Sequence, residues 1–275
     1  MGKPAKLTDF SALSFDCYGT LIDWETGILT ALKPLTDAAT AAGLDLTPDA
    51  ILDAHGRHES AQQADTPALP YSSLLAIVYA RLAGEWGLPC SNEAAAAYGA
   101  SVPDWPAFPD SADALRRLGA HFHLIILSNV DKASFAGSAK RLLAPDPAAA
   151  DSGANGQAAA RAPLDQFSAV ITAEDVGAYK PAMPHFTALQ QTCDQLGVAR
   201  ERLLHVAESL FHDHVPATEV GLARCWIHRR HAQTGYGATR PPERMPDVDY
   251  RFTSMAEFAD EIDRLAGGTL QPNAL

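Results

Sequence analysis

Four short stretches of this chain place reactive residue types directly after apolar runs: FDCYGT with Asp16, LSN with Ser128 and Asn129, YKP with Lys180, and ESLFHD with Glu208 and Asp213. Each type suggests a task. A carboxylate with an ordinary pKa near ~3.9 is ionised at neutral pH and can act as a nucleophile. An ammonium ~4 Å away stabilises that charge by roughly 4 kcal/mol at an effective dielectric near ~20. A hydroxyl beside an amide can hold an oxygen-rich substrate, and a pair of carboxylates can activate water or bind a divalent cation. Taken singly, an Asp, Ser or Lys after a strand is mostly turn or cap chemistry. Carboxylate, hydroxyl-amide, ammonium and carboxylates in succession point to one site.

The elements that must position these groups follow from periodicity. Short β-rich runs at 13–15, 123–127, 169–172, 203–207 and 225–228, with a weaker one at 251–254, alternate with amphipathic helical stretches. The stretch 110–120 sets Leu115 and Leu118 on one face, with Asp110 or Ser111 as N-cap. A second, 184–197, stripes Phe186, Leu189, Cys193 and Leu196, and a third, 254–268, repeats Met255, Phe258, Ile262 and Leu265 behind a Ser254 cap. The alternation predicts an α/β fold with a doubly wound, mainly parallel, Rossmann-like sheet. Ligands in such sheets bind beyond the carboxyl ends of the strands, where all four stretches fall. Residues 24 to about 100 hold only helical patterns, such as Trp24, Ile28, Leu32 and Leu35, so an all-helical insert is expected after the first strand. The division is then a core of 1–22 and 104–275 around an insert of 23–103. The Ala-, Gly- and Pro-rich stretch 144–163 has no large apolar residue and is expected to be a surface loop.

Composition narrows the partners. The 275 residues carry a net charge of -12, which argues against nucleic acid or an anionic membrane as a main partner. The basic run Arg229, Arg230, His231 reads as a short loop and does not change that balance. Four scattered cysteines form no CxxC and read as reduced thiols. No apolar signal segment opens the chain, and the longest strongly apolar run, LIIL, is too short to cross a bilayer, so a soluble cytoplasmic protein is expected.

Taken in order, FDCYGT, LSN, YKP and ESLFHD resemble the four motifs of the haloacid dehalogenase (HAD) superfamily, and the FD-x-YGT wording is most similar to its L-2-haloacid dehalogenase branch. The resemblance implies that the helical insert is a cap and that Asp16 is a nucleophile attacking the halogen-bearing carbon of a small acid. It implies further that Lys180 keeps Asp16 charged, that Ser128 and Asn129 hold the substrate carboxylate, and that Asp213 activates the water that cleaves the ester. Tyr18, Cys17, Trp24 and the insert's Arg57 are the candidate substrate contacts, although the Cys17 thiol has no base placed for it and reads as packing rather than a second nucleophile. No cofactor is implied in this reading, and a homodimer is compatible with the branch. Halide leaves as a stable anion, so Tyr18 is acceptable where phosphatases of the superfamily carry a second Asp as proton donor.

Charge counting opens an alternative. Asp16, Glu208 and Asp213 against Lys180 leave the rim at a formal −2, which calls for another cation, a raised carboxylate pKa, or a Glu208 turned away. A Mg²⁺-dependent phosphatase with Asp16, Glu208 and Asp213 around the metal is the second reading. His205, His212 and His214 flank Asp213 and suggest a histidine metal site more weakly.

Overall fold

The computed structural model describes residues 6–143, 166–233 and 235–267 of the chain. The stretch expected to be a loop at 144–163 lies outside the described residues. The apolar runs become β1 (Ala12–Phe15), β2 (His123–Ser128), β3 (Ala169–Thr172), β4 (Leu203–Ala207), β5 (Ala223–Ile227) and β6 (Tyr250–Phe252). They form one sheet in the order β3-β2-β1-β4-β5-β6, and every pairing is parallel. Both faces are covered, which is why the strands read as continuous apolar runs. Alternate residues enter two separate cores: Leu13, Phe15, Ile126 and Val206 pack on one face, and Ala12, Ile125, Leu127 and Leu203 on the other.

Register fixes the site. Phe15 pairs with both Ile126 of β2 and Val206 of β4, so the residues that follow emerge side by side at one edge. β1 lies between β2 and β4, where chain order reverses direction across the sheet, and that crevice is the binding position of an open α/β sheet.

The insert comprises α1 (Trp24–Ala31), α2 (Lys33–Ala41), α3 (Pro48–Asp65), α4 (Tyr71–Glu85) and α5 (Asn92–Gly99), with no strand among them. Local chemistry starts these helices: the Asp23, Thr47 and Ser91 side chains accept the N–H groups of Thr26, Ala50 and Ala94, and Pro48 opens α3. Ile28, Leu32, Leu35, Leu74 and Val78 are buried in the same apolar core as β1. Gly27 allows Trp105 to lie against α1; a Cβ there would sit 2.3 Å from the indole Cγ. The connection between β5 and β6 also reaches the insert, since a Cβ on Gly56 would come within 2.4 Å of the Ala238 carbonyl oxygen.

Two carboxylates act over longer range than their sequence positions suggest. Asp110 precedes α6 (Ser111–Leu118) but does not cap it with its side chain, contrary to expectation. It accepts instead from the Met255 and Ala256 N–H groups at the start of α8 (Met255–Gly267), at 2.9 and 3.1 Å, and from Arg229 at 2.8 Å. Ser111 donates to the Leu21 carbonyl rather than capping. Asp131 caps α7 (Lys132–Leu142) through Ser134 N–H and also accepts Ser72 N–H, which ties α4 of the insert to the strand end after β2. Three cysteines are buried and Cys90 is exposed, all of them free. Among the described residues no helix is long and apolar enough to cross a membrane.

Candidate active site

Asp16 leaves β1 with its backbone N–H on the Val206 carbonyl and its side chain at the sheet edge. Its Oδ1 accepts from Lys180 Nζ at 2.8 Å, and its Oδ2 from the Thr20 hydroxyl at 2.7 Å. The same ammonium donates to Asp213 Oδ1 at 2.7 Å and to the Leu127 carbonyl at 2.8 Å, so all three of its protons are used. Asn129 holds the lysine's backbone in a two-bond clasp: its Oδ1 accepts Lys180 N–H at 2.6 Å, and its Nδ2 donates to the Lys180 carbonyl at 3.1 Å. Behind Asp213 stands His205, whose Nε2 lies 3.0 Å from Oδ1 and whose Nδ1 lies 2.9 Å from the Ser14 hydroxyl. With a carboxylate on one side and a hydroxyl on the other, Nε2 donates and Nδ1 accepts.

Burial governs the charges here. It would favour a neutral lysine, but Asp16 and Asp213 outweigh it and raise the Lys180 pKa above the ordinary value. Burial likewise pushes Asp213 upward, yet Lys180 and His205 prevail and hold its carboxyl well below the usual range. Asp16 gets less of the shared ammonium: burial raises its pKa, with Lys180 and Thr20 opposing. Glu208 settles the charge count. Burial first, then the nearby Asp16 and Glu25, lift its carboxyl to about 8, so at neutral pH it is mainly the neutral acid. The rim therefore carries Asp16 and Asp213 against Lys180.

Two of the cavities around this cluster bear on its carboxyl groups. The smaller, about 40 Å³, is lined by Asp16, Lys180 and Asp213 below, Glu59 and Tyr71 from the insert, and Thr239 from the β5–β6 connection. Tyr18, Trp24, Asn129 and His212 also border it. The larger, about 600 Å³, lies beside it, with Glu25, Phe108, Glu208, Arg229 and Arg230 on its walls; Trp24 borders both. Asp16, Lys180 and Asp213 are absent from the larger lining and border the smaller. Arg229 and Arg230 lie in the loop after β5, as expected, and both are engaged in ion pairs there. Arg229 pairs with Asp110 and donates to the Thr20 carbonyl, while Arg230 pairs with Glu25 at the start of α1.

Several expected contacts stand elsewhere. Arg57 does not reach the cavity; it is exposed on α3 and paired with Asp53 and Glu85. Its helix turns His55, Glu59 and Gln62 inward instead. Cys17 is packed in the apolar core and lines neither cavity, with its thiol pushed up first by burial and then by Asp16. Tyr18 borders the small cavity, but its hydroxyl lies 2.7 Å from Ser138 Oγ and burial raises its pKa well above 10. Ser128 is fully buried, and its hydroxyl makes no hydrogen bond. His212 is half-buried and His214 buried, both held at about 4 and largely neutral, and His214 donates to the Ala207 carbonyl. Among the described residues no group of three or more His, Cys, Asp or Glu is arranged to hold a metal. Lys180 sits where a cation between Asp16 and Asp213 would lie, and Glu208 faces the other cavity. The residues present do not fit the Mg²⁺ site of the second reading.

The sequence did not single out Thr20, Glu59, Gln63 or Thr239. Glu59 is buried, accepts the Tyr71 hydroxyl at 2.9 Å and the Gln63 amide at 3.2 Å, and burial lifts it to about 7. An unfolded Glu ionises near ~4.3, so between there and about pH 7 the folded chain holds a proton the unfolded chain has lost. Over that window rising pH destabilises the fold, and the effect levels off above it. Glu59→Gln cannot titrate, and its amide oxygen can still accept both hydrogen bonds. Its stability relative to wild type should therefore rise by up to about 3 kcal/mol from about pH 5 to about pH 8. Urea unfolding across that range measures it; a constant difference would contradict a raised Glu59.

No family model and no curated protein matches this sequence. Solved structures do. A defluorinating L-2-haloacid dehalogenase, Rha0230, matches at a TM-score of 0.66 and 19% identity, covering 92% of this chain and 95% of its own. An L-2-haloacid dehalogenase from Xanthobacter autotrophicus with chloropropionic acid covalently bound gives 0.67 at 17% identity, over 92% and 98% of the two chains. The putative HAD-hydrolase YfnB from Bacillus subtilis, bound to magnesium, gives 0.64 at 18%, over 92% and 99%. The chain has the fold of these proteins.

Proposed function

We propose that this chain is a hydrolase of the haloacid dehalogenase superfamily that works through an ester on Asp16, and that its reaction is hydrolytic dehalogenation of a small 2-haloacid. The observation that carries the reading is the Asp16 carboxylate, fixed by Lys180 on one oxygen and Thr20 on the other, inside a cavity of about 40 Å³ roofed by a helical insert. The fold shared with L-2-haloacid dehalogenases supports it.

In the first step an Asp16 oxygen attacks the carbon bearing the halogen, the carbon–halogen bond breaks with its electron pair, and halide departs. The product is an ester between Asp16 and the acid. Water then attacks the ester carbonyl, the 2-hydroxyacid leaves, and Asp16 is regenerated with release of one proton. Lys180 orients Asp16 for the attack and faces the carbonyl oxygen as charge builds on it, where a preorganised ammonium is most effective. The insert acts as a cap that keeps bulk water from the carboxylate. The Tyr18 hydroxyl is engaged with Ser138 and resists ionisation, so this position suits a leaving group that needs no proton. Glu208, as a neutral acid, adds no charge against an anionic substrate.

The test is direct. Chloroacetate, bromoacetate, 2-chloropropionate and fluoroacetate should release halide, with the 2-hydroxyacid in equal amount and no effect of EDTA. Absence of halide from all four, or turnover that EDTA stops, would overturn the reading.

A further inference from the structure

The reaction proposed above, on which this inference rests, brings an anion to a cavity floor that is already negative. Asp16 and Asp213 stand there against Lys180 alone, and the three protons of that ammonium are taken. The groups expected to hold the substrate carboxylate are engaged or withdrawn. Asn129 is committed to the Lys180 backbone, and Ser128 is fully buried. Arg57 is exposed on α3 and paired with Asp53 and Glu85, while Arg229 and Arg230 are tied to Asp110 and Glu25. An anionic substrate needs a further cation.

A third cavity, of about 410 Å³, supplies one. It is a cleft between insert and core, with Gln63 on the α3 side, Lys180, Phe211 and His212 on the core side, and Arg240 from the β5–β6 connection. Gln63, Lys180 and His212 also line the small cavity, whereas the 600 Å³ cavity shares Trp24 alone with it. The two approaches differ in sign. Asp23, Glu25, Asp49 and Glu208 line the 600 Å³ cavity, and its two arginines are ion-paired. No Asp or Glu lines the third cavity, and its charges are Lys180 and Arg240. His212 on its wall is neutral at about 4, through burial first, with Lys180 and Arg240 adding to that against Asp213. In a chain of net charge -12, a carboxylate-free approach is where an anion meets least repulsion. Arg240 itself is exposed and forms no ion pair among the described residues; its guanidinium lies 5.0 Å from the centre of the Phe211 ring. Its neighbour Thr239 lines the small cavity.

We propose that Arg240 recognises the carboxylate of the substrate at this mouth and that the acid reaches Asp16 from there. A guanidinium matches a carboxylate with two parallel hydrogen bonds, and stacking on Phe211 holds the group in place while leaving its N–H edge open. Beyond it along the same wall, the positive charge of Lys180 marks the way to the small cavity. The substrate class follows: monoanionic 2-haloacids in preference to their uncharged amides. Arg240 serves binding of the acid rather than the bond-breaking step, so its contribution belongs to KM.

The test uses the full chain, with 2-bromopropionate for turnover and propionate, which has no halogen to lose, for calorimetric binding. Arg240→Gln should lower kcat/KM about tenfold through a higher KM, with kcat within about twofold, and should weaken propionate binding by a similar factor. In wild type kcat/KM should fall as ionic strength rises, and in Arg240→Gln it should be nearly flat. Arg240→Lys, which keeps the charge without the fork, should restore the ionic-strength dependence and part of the affinity. Propionamide, of the same shape but uncharged, should bind both proteins equally. Unchanged kcat/KM and propionate affinity in Arg240→Gln, a loss confined to kcat, or an equal loss for propionamide overturns the assignment. If wild type binds propionate through Arg240 but releases no halide, the dehalogenase reading fails and the anion site stands. If it does neither, both fall.

Discussion

Asp16→Asn should abolish halide release, with a fall of at least about 10⁴-fold, while leaving the fold nearly as stable as wild type. The loss follows from chemistry: a neutral amide oxygen is a poor nucleophile, and the neighbouring Asp213 is held by Lys180 and His205 with its carboxyl below the usual range. Stability should survive for an electrostatic reason. Lys180 is shared between two carboxylates, and removing one leaves an ammonium paired with Asp213 and bound to the Leu127 carbonyl. Thr20 can still donate to the asparagine oxygen. No uncompensated charge is created, so the change in unfolding free energy should stay within about 1 kcal/mol. Intact mass after exposure to 2-bromopropionate should show no adduct. An adduct on the variant would place the nucleophile elsewhere; a chain that unfolds would contradict the sharing.

Much of this arrangement was legible because it depends on strand ends. Asp16, Ser128, Asn129, Lys180 and Asp213 each follow an apolar run or its connection, and a parallel sheet brings such ends together whatever the loops do. Arg57 was misplaced because α3 has no clean apolar face: its buried side includes His55, Gly56, Glu59 and Gln62. Where the inward stripe is itself polar, hydrophobic spacing cannot say which residue faces the site, although 55, 59 and 62 do lie at helical spacing. Asp110 was misread for a different reason. A local cap and a cap supplied to a helix about 145 residues away look the same in sequence, and only the packing of α8 beside α6 decides between them. Glu208 could be flagged by counting charges, but its neutrality comes from depth and from Asp16 and Glu25 lying near it. Arg229, Arg230 and Thr239 sit in a polar connection with no periodicity at all, and their positions follow from the path of that connection over the insert.

Lys180→Met is expected to be the most damaging single change to stability, and its pH dependence identifies the cause. In wild type Asp213 has a depressed pKa, so its contribution is present above the unfolded value of ~3.9 and is lost only as the pH falls through the lower folded value. Without the ammonium, Asp16 and Asp213 become two buried carboxylates supported by Thr20 and His205 alone, and breaking a buried pair in this way costs roughly 3–5 kcal/mol. Asp16, already raised in wild type, should rise further, and Asp213 should move above its unfolded value, which reverses the sign of its contribution: the folded variant keeps protons that the unfolded chain has released, and its stability falls as pH rises. Glu59 and Glu208 impose a similar slope on both proteins, so the informative quantity is the difference between variant and wild type. That gap should widen from about pH 5 to about pH 8 in urea unfolding. A second substitution separates charge from packing. Asp213→Asn added to Lys180→Met removes one of the stranded carboxylates, so the double variant should be more stable than Lys180→Met alone, although Asp213→Asn by itself destabilises. If the gap is independent of pH and the two changes simply add, Lys180 contributes by filling space, and the shared ammonium does not hold the site together.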